Sequence, residues 1–314
     1  MLLNETNLNN KKTEDWPSAG EWLKGTYKSY SDGLTRLGVM GVPLNASITP
    51  GKVELAPAAI RKALGKFVGF DIPHNNDLRI IDVEDVGDLD VSRMTVEEAM
   101  PLITDQVRKF RKKEMPVILL GGDNSITRAG ADGLPCNLNR CGLICVDANL
   151  GMHSTDNGVH NANPVRALMD DGMLGPNIAV IGIQSFVNSP DAMQFARESR
   201  VNFVPVEQVF ADGIDRVMKT AFEDMRDLDS IYFSLDMDVL DRAHAPACPG
   251  SRPGGLMPWQ VRQIAYHCGT HYNIAAMDVV EVDPEQDVAD ITVQCAAACV
   301  LSFASGLLER RERK

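Results

Sequence analysis

From Leu37 onward, short apolar runs alternate with amphipathic stretches, and that rhythm leaves the chain few ways to fold. Runs such as Val117-Ile-Leu-Leu120, Gly142-Leu-Ile-Cys-Val146 and Ile231-Tyr-Phe-Ser-Leu235 are too short for helices and almost without a polar face, so they read as strands buried on both sides. Between them, Thr95-Val-Glu-Glu98 has the spacing of a capping box. Val96, Met100, Ile103, Val107 and Phe110 then recur at alternating intervals of four and three, which predicts an amphipathic helix. Buried strands joined by such helices make βαβ units, so the expected fold is a three-layer α/β/α domain around a mostly parallel central sheet. Further strands are expected at 178–183 and 274–282, and helices near 163–171, 190–198, 206–224, 257–267 and 292–310. Residues 1–35 read as an N-terminal arm, carrying Trp16, Trp22, Tyr27 and Tyr30, that packs late or against a neighbour. Residues 36–314 read as a single domain, with no linker or repeat inside them.

Charge and composition exclude several classes of partner. Acidic residues outnumber basic ones 43 to 31, for a net charge of −12, which disfavours nucleic acid or an anionic membrane as the main partner. No apolar stretch is read as reaching the ~20 residues that cross a bilayer. The polar opening also lacks the basic and apolar segments of a signal peptide, so a soluble cytoplasmic protein is expected. Seven cysteines, scattered through apolar runs without a Cys-x-x-Cys pair, suit reduced core thiols rather than disulfides or a zinc knuckle.

The strand ends carry the chemistry. In a parallel sheet all carboxyl ends share one edge, and ligands bind in the crevice there. Asp123 and Asn124 follow one strand, Asp147 and Asn149 another, Asp236 and Asp238 a third, and Glu281 a fourth. A lone aspartate after a strand is ordinarily a helix cap. Asp236 and Asp238 are more informative, because alternate strand residues point to one face unless the strand ends between them. Such a cluster needs a cation, a base or shared protons, since neighbouring like charges raise each other's cost of ionisation. Arg128 and Arg166 are candidate neutralising cations. Gly38, Gly41 and Gly121-Gly122 lack the spacing of a phosphate-binding loop and read as tight turns, whereas the irregular Pro246–Gly255 loop can wall a pocket.

These residues resemble the ureohydrolase family of arginases, agmatinases and guanidinobutyrases over about four-fifths of the chain. Gly121-Gly-Asp-Asn-Ser125 is similar to the family's Gly-Gly-Asp-His-Ser, Asp147-Ala-Asn-Leu-Gly151 to Asp-Ala-His-x-Asp, and Ser234 to Asp241 to an intact Ser-x-Asp-x-Asp-x-x-Asp. The resemblance implies an arginase-like fold and two manganese or nickel ions. One ion would fall to Asn124, Asp147, Gly151 and Asp236, and the other to Asn149, Asp147, Asp236 and Asp238. It also implies a guanidinium partner in Glu281 and a proton shuttle in His160. Two histidines and one aspartate of that ligand set are replaced here, by Asn124, Asn149 and Gly151.

On that pattern no intact catalytic residue is expected, His160 and Glu281 being vestigial. No cofactor is expected in this chain, with Asp147, Asp236 and Asp238 as a fallback site for a hard ion and His153 as a replacement ligand. The leading expectation is a catalytically degenerate ureohydrolase homologue. It would serve as the structural or regulatory subunit of a hetero-oligomer, a hexamer for instance, whose active ureohydrolase paralogue carries the nickel or manganese, similar to the metal-deficient subunit of metformin hydrolases. Two alternatives stand beside it: a self-sufficient hydrolase with an altered hard-cation site, and a protein that binds guanidinium compounds without chemistry.

Overall fold

The computed structural model describes residues 17–26, 33, 35–134 and 136–310. Its main sheet has eight strands: β1 (Arg36–Val42), β4 (Asp82–Asp88), β5 (Val117–Gly121), β6 (Cys141–Val146), β7 (Ile178–Ile183), β8 (Asn202–Pro205), β9 (Ser230–Asp236) and β10 (Ile274–Val280). A small hairpin, β2 (Phe70–Asp71) with β3 (Asn76–Asp77), lies apart. All pairings in the main sheet are parallel, in the order β4-β1-β5-β10-β9-β6-β7-β8. The expected three layers are present because strand side chains alternate between two cores. Ile231, Phe233 and Leu235 face a core built with α1 (Ala19–Leu23), α2 (Ala56–Leu64), α7 (Val206–Asp212), α8 (Ile214–Asp224), α9 (Pro258–Thr270) and α10 (Ile291–Leu308). Tyr232 faces the other, built with α3 (Val96–Lys112), α4 (Ile126–Asp132), α5 (Pro164–Asp170) and α6 (Pro190–Glu198).

Most elements fall where the sequence pattern puts them, and the departures have local causes. Helix α3 opens on its capping box, the Glu98 N–H donating to Thr95 Oγ1 at 3.3 Å and the Thr95 N–H to Glu98 Oε2 at 2.9 Å. The single helix expected at 206–224 is two, because Gly213 takes φ 78°, a left-handed angle that ends α7 and starts α8. Gly38 and Gly41 lie inside β1 rather than in turns. A Cβ on Gly38 would stand 2.5 Å from the Phe110 ring, so its missing side chain is filled by α3. Of the arm, Trp22 is buried in the first core and α1 packs on α2, while Trp16, Tyr27 and Tyr30 lie outside the described residues. Cys136 and Cys141 form a disulfide, against the expectation of reduced thiols throughout; their spacing alone did not say that the turn before β6 brings them together.

Helix α10 is, by length and composition, apolar enough to cross a membrane, against the expectation that no stretch would be. About two-thirds of it, 67%, is buried within the protein, so its apolarity is that of a core helix. It meets α9 at two glycines. A Cβ on Gly306 would lie 2.3 Å from the Tyr266 carbonyl oxygen and 2.8 Å from Gly269 Cα, against backbone that cannot yield. Gly306→Ala is therefore expected to cost about 3 kcal/mol, the upper part of the overpacking range. Urea unfolding should show a lower midpoint at unchanged m; an unchanged midpoint refutes this packing.

Candidate metal centre

Strand order makes the site. β5, β10, β9 and β6 are neighbours, so the residues at their carboxyl ends, Asn124, Glu281, Asp236 and Asp147, come to one point on the sheet edge. Asp147, Asp236 and Asp238 are all buried, and each offers an oxygen within 4.8 Å of the others. Asp236 and Asp238 do not converge by strand alternation. β9 stops at Asp236, whose Oδ1 accepts the Asp238 N–H at 2.8 Å and caps the 3₁₀ turn Met237–Val239, and that turn folds Asp238 back toward Asp147.

Donors fix the remaining oxygens. Asp238 Oδ1 accepts the Ala148 N–H at 2.9 Å, and its Oδ2 accepts Asn149 Nδ2 at 2.6 Å. Asp147 Oδ1 accepts the Asn149 N–H at 2.5 Å. Asn124 Nδ2 spans the other two carboxylates, 3.1 Å from Asp147 Oδ2 and 3.2 Å from Asp236 Oδ2. Burial, and next the Asp238 charge, push the Asp147 and Asp236 carboxyls well above their ordinary range. Asp238 is raised too by burial, opposed by the donors around it and by Arg252. Glu281 stands at φ 64°, a strained angle for a non-glycine residue. Its Oε1 accepts the Asn124 N–H at 2.8 Å and Asn161 Nδ2 at 3.1 Å, and burial with the Asp123 charge pushes it to about 8.

Several expected participants are placed elsewhere. Asp123 turns away from the crevice and bonds the Ala46 and Ser125 N–H groups, tying the loop after β1 to the turn after β5. Arg128 is bidentate to Asp171, at 2.6 and 2.9 Å. Arg166 pairs with Asp170 at 2.9 Å over the Phe195 ring, so neither arginine neutralises the triad. His153 lines the cavity outside the aspartate cluster. His160 stands edge-on behind it, ring centroids 6.2 Å apart, with its Nδ1 accepting the Ala162 N–H at 3.1 Å. Burial and the neighbouring His153 lower the His160 pKa, which favours the neutral ring. Gly151 takes φ 63°, and a Cβ there would meet Val165 Cγ2 at 3.0 Å.

Sequence reasoning missed Arg252, which lines the cavity from the Pro246–Gly255 loop and is the cation acting on Asp238. It also missed a buried polar island below the triad, made of Thr127, Ser234 and Asp278. Thr127 Oγ1 lies 2.7 Å from Asp278 Oδ2, 3.0 Å from Ser234 Oγ and 2.8 Å from Asn124 Oδ1. Asp278 is pushed to about 6, burial outweighing its hydrogen bonds. The only available signal was polar residues inside the apolar runs of β9 and β10. Two buried thiols flank the carboxylates, Cys145 Sγ 3.7 Å from Asp147 and Cys248 Sγ 3.9 Å from Asp236. Burial and those charges raise both well above the ordinary thiol range, so they act as weak donors and not as thiolate ligands.

The cavity, about 260 Å³, is lined by the three triad carboxylates, by the buried Glu281, and by Asn124 and Asn149, whose amide nitrogens face the triad; the triad itself offers carboxylate oxygens, donors suited to magnesium, calcium or manganese. The expectation that this chain holds no metal is corrected by that convergence: the ligands left after loss of the imidazoles still meet at one point. Replacing the histidines removes nitrogen ligation and leaves the carboxylates converging.

A model of the arginase family matches residues 35–305. The formimidoylglutamase of Halalkalibacterium halodurans is 32% identical over 275 residues, 86% of each chain. That of Bacillus subtilis is 29% identical over the same share, and the solved Bacillus subtilis formimidoylglutamase superimposes with a TM-score of 0.82 at 28% identity over 89% of each chain. A Trypanosoma cruzi formiminoglutamase solved with Mn2+2 shares the fold, with a TM-score of 0.84 at 20% identity, covering 95% of this chain and 100% of that one.

Proposed function

This chain is a member of the arginase family, and on that premise we propose that it hydrolyses a carbon–nitrogen bond of a small amidine or guanidine compound, using one hard divalent cation held by Asp147, Asp236 and Asp238. The observation that carries this reading is the meeting of three buried carboxylates at adjacent strand ends. Carboxylates packed this closely without an opposite charge are costly. A divalent cation there supplies Lewis acidity and lowers the pKa of water in the crevice. The chain's own groups do the rest. The Asn124 N–H and Asn161 hold Oε1 of Glu281, which would leave its other oxygen to accept an amidinium N–H. His153, on the cavity wall, would be the group that moves a proton to the leaving amine. Manganese is the first ion to test, since the Trypanosoma cruzi formiminoglutamase is solved with Mn2+2 both as such and with an asparagine replaced by histidine.

The test is calorimetric titration of the purified chain with Mn2+, Mg2+ and Ca2+, followed by turnover assays on formimidoyl, guanidino and biguanide compounds. Absence of both binding and turnover sinks the reading. Proton linkage gives a further expected result. The triad carboxyls have raised folded pKa values, so the cation-free protein holds protons there that a cation must displace. Cation affinity is therefore expected to fall as pH drops from 8 to 6. Titration heats should differ between buffers of unlike ionisation enthalpy, and identical heats refute the linkage. By the same sign, these groups destabilise the cation-free fold increasingly as pH rises from their unfolded values near 4 toward that of Glu281 at about 8.

A second reading is favoured by one observation: amide nitrogens, not imidazoles, face the carboxylates at positions 124 and 149. Under it the chain is the less active subunit of a hetero-oligomer with a paralogue that keeps both histidines, as in a biguanide-splitting metformin hydrolase. Turnover only after co-production with such a paralogue would favour it; turnover by the chain alone would end it.

A further inference from the structure

Thr127 Oγ1 stands in three short polar contacts, with Asp278 Oδ2 at 2.7 Å, Asn124 Oδ1 at 2.8 Å and Ser234 Oγ at 3.0 Å. With Asp278 ionised, the two hydroxyls bring only two protons to these three contacts. Asp278 has no exposed surface and takes the Leu235 N–H on Oδ1 at 3.2 Å, so its Oδ2 is the acceptor that claims the Thr127 proton in a charge-assisted bond. Ser234, which also bonds Asp278, can then donate to either of them. The contact between Thr127 and Asn124 is left without a proton unless the amide supplies it. Amide O and N occupy equivalent positions, so the same side-chain placement can present Nδ2 to Thr127 and Oδ1 to the crevice. Turned that way, Oδ1 lies 3.1 and 3.2 Å from oxygens of Asp147 and Asp236. Three oxygens so placed repel one another until a cation sits among them.

From this proton count we infer that Thr127, oriented by Asp278, turns the Asn124 amide so that its oxygen faces Asp147 and Asp236, and so makes Asn124 a cation ligand. Thr127 and Asp278 are positioning residues. The carboxylates pull the amide nitrogen inward, Thr127 pulls it outward, and a bound cation decides between them. The inference rests on the hard-cation reading of the triad.

The experiment is Mn2+ titration of the full chain at pH 8, where Asp278 is ionised, for wild type, Thr127→Val, Thr127→Ser, Asn124→Ala and the Asn124→Ala/Thr127→Val double variant. Thr127→Val is expected to bind Mn2+ about 10-fold to 100-fold more weakly, the range for groups that orient a metal ligand, while Thr127→Ser stays within about threefold of wild type. In the Asn124→Ala background, Thr127→Val should change nothing further, because no amide remains to orient. A loss that adds to that of Asn124→Ala is a structural effect and overturns the inference, as does wild-type affinity in Thr127→Val. In both cases binding by the wild type leaves the triad reading intact, whereas no binding by the wild type overturns both. A second readout uses the wild-type fold alone. The Asn124 side-chain NH2 resonance, assigned by its loss in Asn124→Ala, should shift on Ca2+ addition, and an unmoved resonance overturns the inference.

Discussion

Asp147→Asn is expected to raise the melting temperature of the cation-free protein and to abolish its stabilisation by divalent cations. The two effects have opposite signs and one cause. Asp147 is buried beside Asp236 and Asp238 and is driven toward its neutral form by burial and by the Asp238 charge. Replacing it with a neutral side chain of the same shape removes a like charge from the cluster. One carbonyl oxygen remains to accept the Asn149 N–H that now bonds Oδ1, and the new NH2, standing where Oδ2 accepted Asn124 Nδ2, finds an acceptor once the Asn124 amide turns its oxygen inward. The gain is of order 1 kcal/mol, a rise of about 1–2 °C in a chain of this size. Wild type at a cation concentration 100 times its dissociation constant should gain about 2.7 kcal/mol, and the variant almost none. Differential scanning fluorimetry at pH 8, with and without Mn2+, reads both effects. A variant that is less stable without cation, or is rescued by it as well as wild type, would show that the triad is not a cation site.

The second large effect is expected from restoring imidazoles. Asn124→His with Asn149→His should convert the site from hard cations to nickel or zinc, because imidazole suits these metals and an amide oxygen does not. The geometry allows it, since both asparagines already reach the carboxylates, at 3.1 Å from Asp147 and 2.6 Å from Asp238. Adding Gly151→Asp should complete a second ion site at a cost in stability. Position 151 takes φ 63° and its Cβ would press on Val165 at 3.0 Å, a left-handed residue costing of order 1 kcal/mol or more. Elemental analysis should find one transition ion per chain in the double variant and approach two in the triple, with a lower melting temperature in the triple. Failure of the double variant to retain nickel would mean that the crevice has changed in shape as well as in ligand identity.

Much of this was legible in the residues, and for a common reason. Strand positions, the Thr95–Glu98 cap and the carboxylates after β6 and β9 are written in short windows, where periodicity and cap spacing act on neighbours in sequence. Even the convergence of Asp147, Asp236 and Glu281 follows from a general property of parallel sheets. What failed was pairing at a distance. Arg128 and Arg166 were free cations on paper and are spent on Asp171 and Asp170. Asp123 resembled a site residue and is a tie between two loops. Arg252 stood in a loop whose path no local pattern specifies.

The sequence by itself determined the layered fold and the chemical identity of the donors, because backbone periodicity and residue type are local properties. Only the tertiary structure decided that the three aspartates still converge, that Cys136 bonds Cys141, and that Thr127, Ser234 and Asp278 stand under Asn124. Those outcomes depend on which strands lie side by side, and strand order is set by the packing of both cores together.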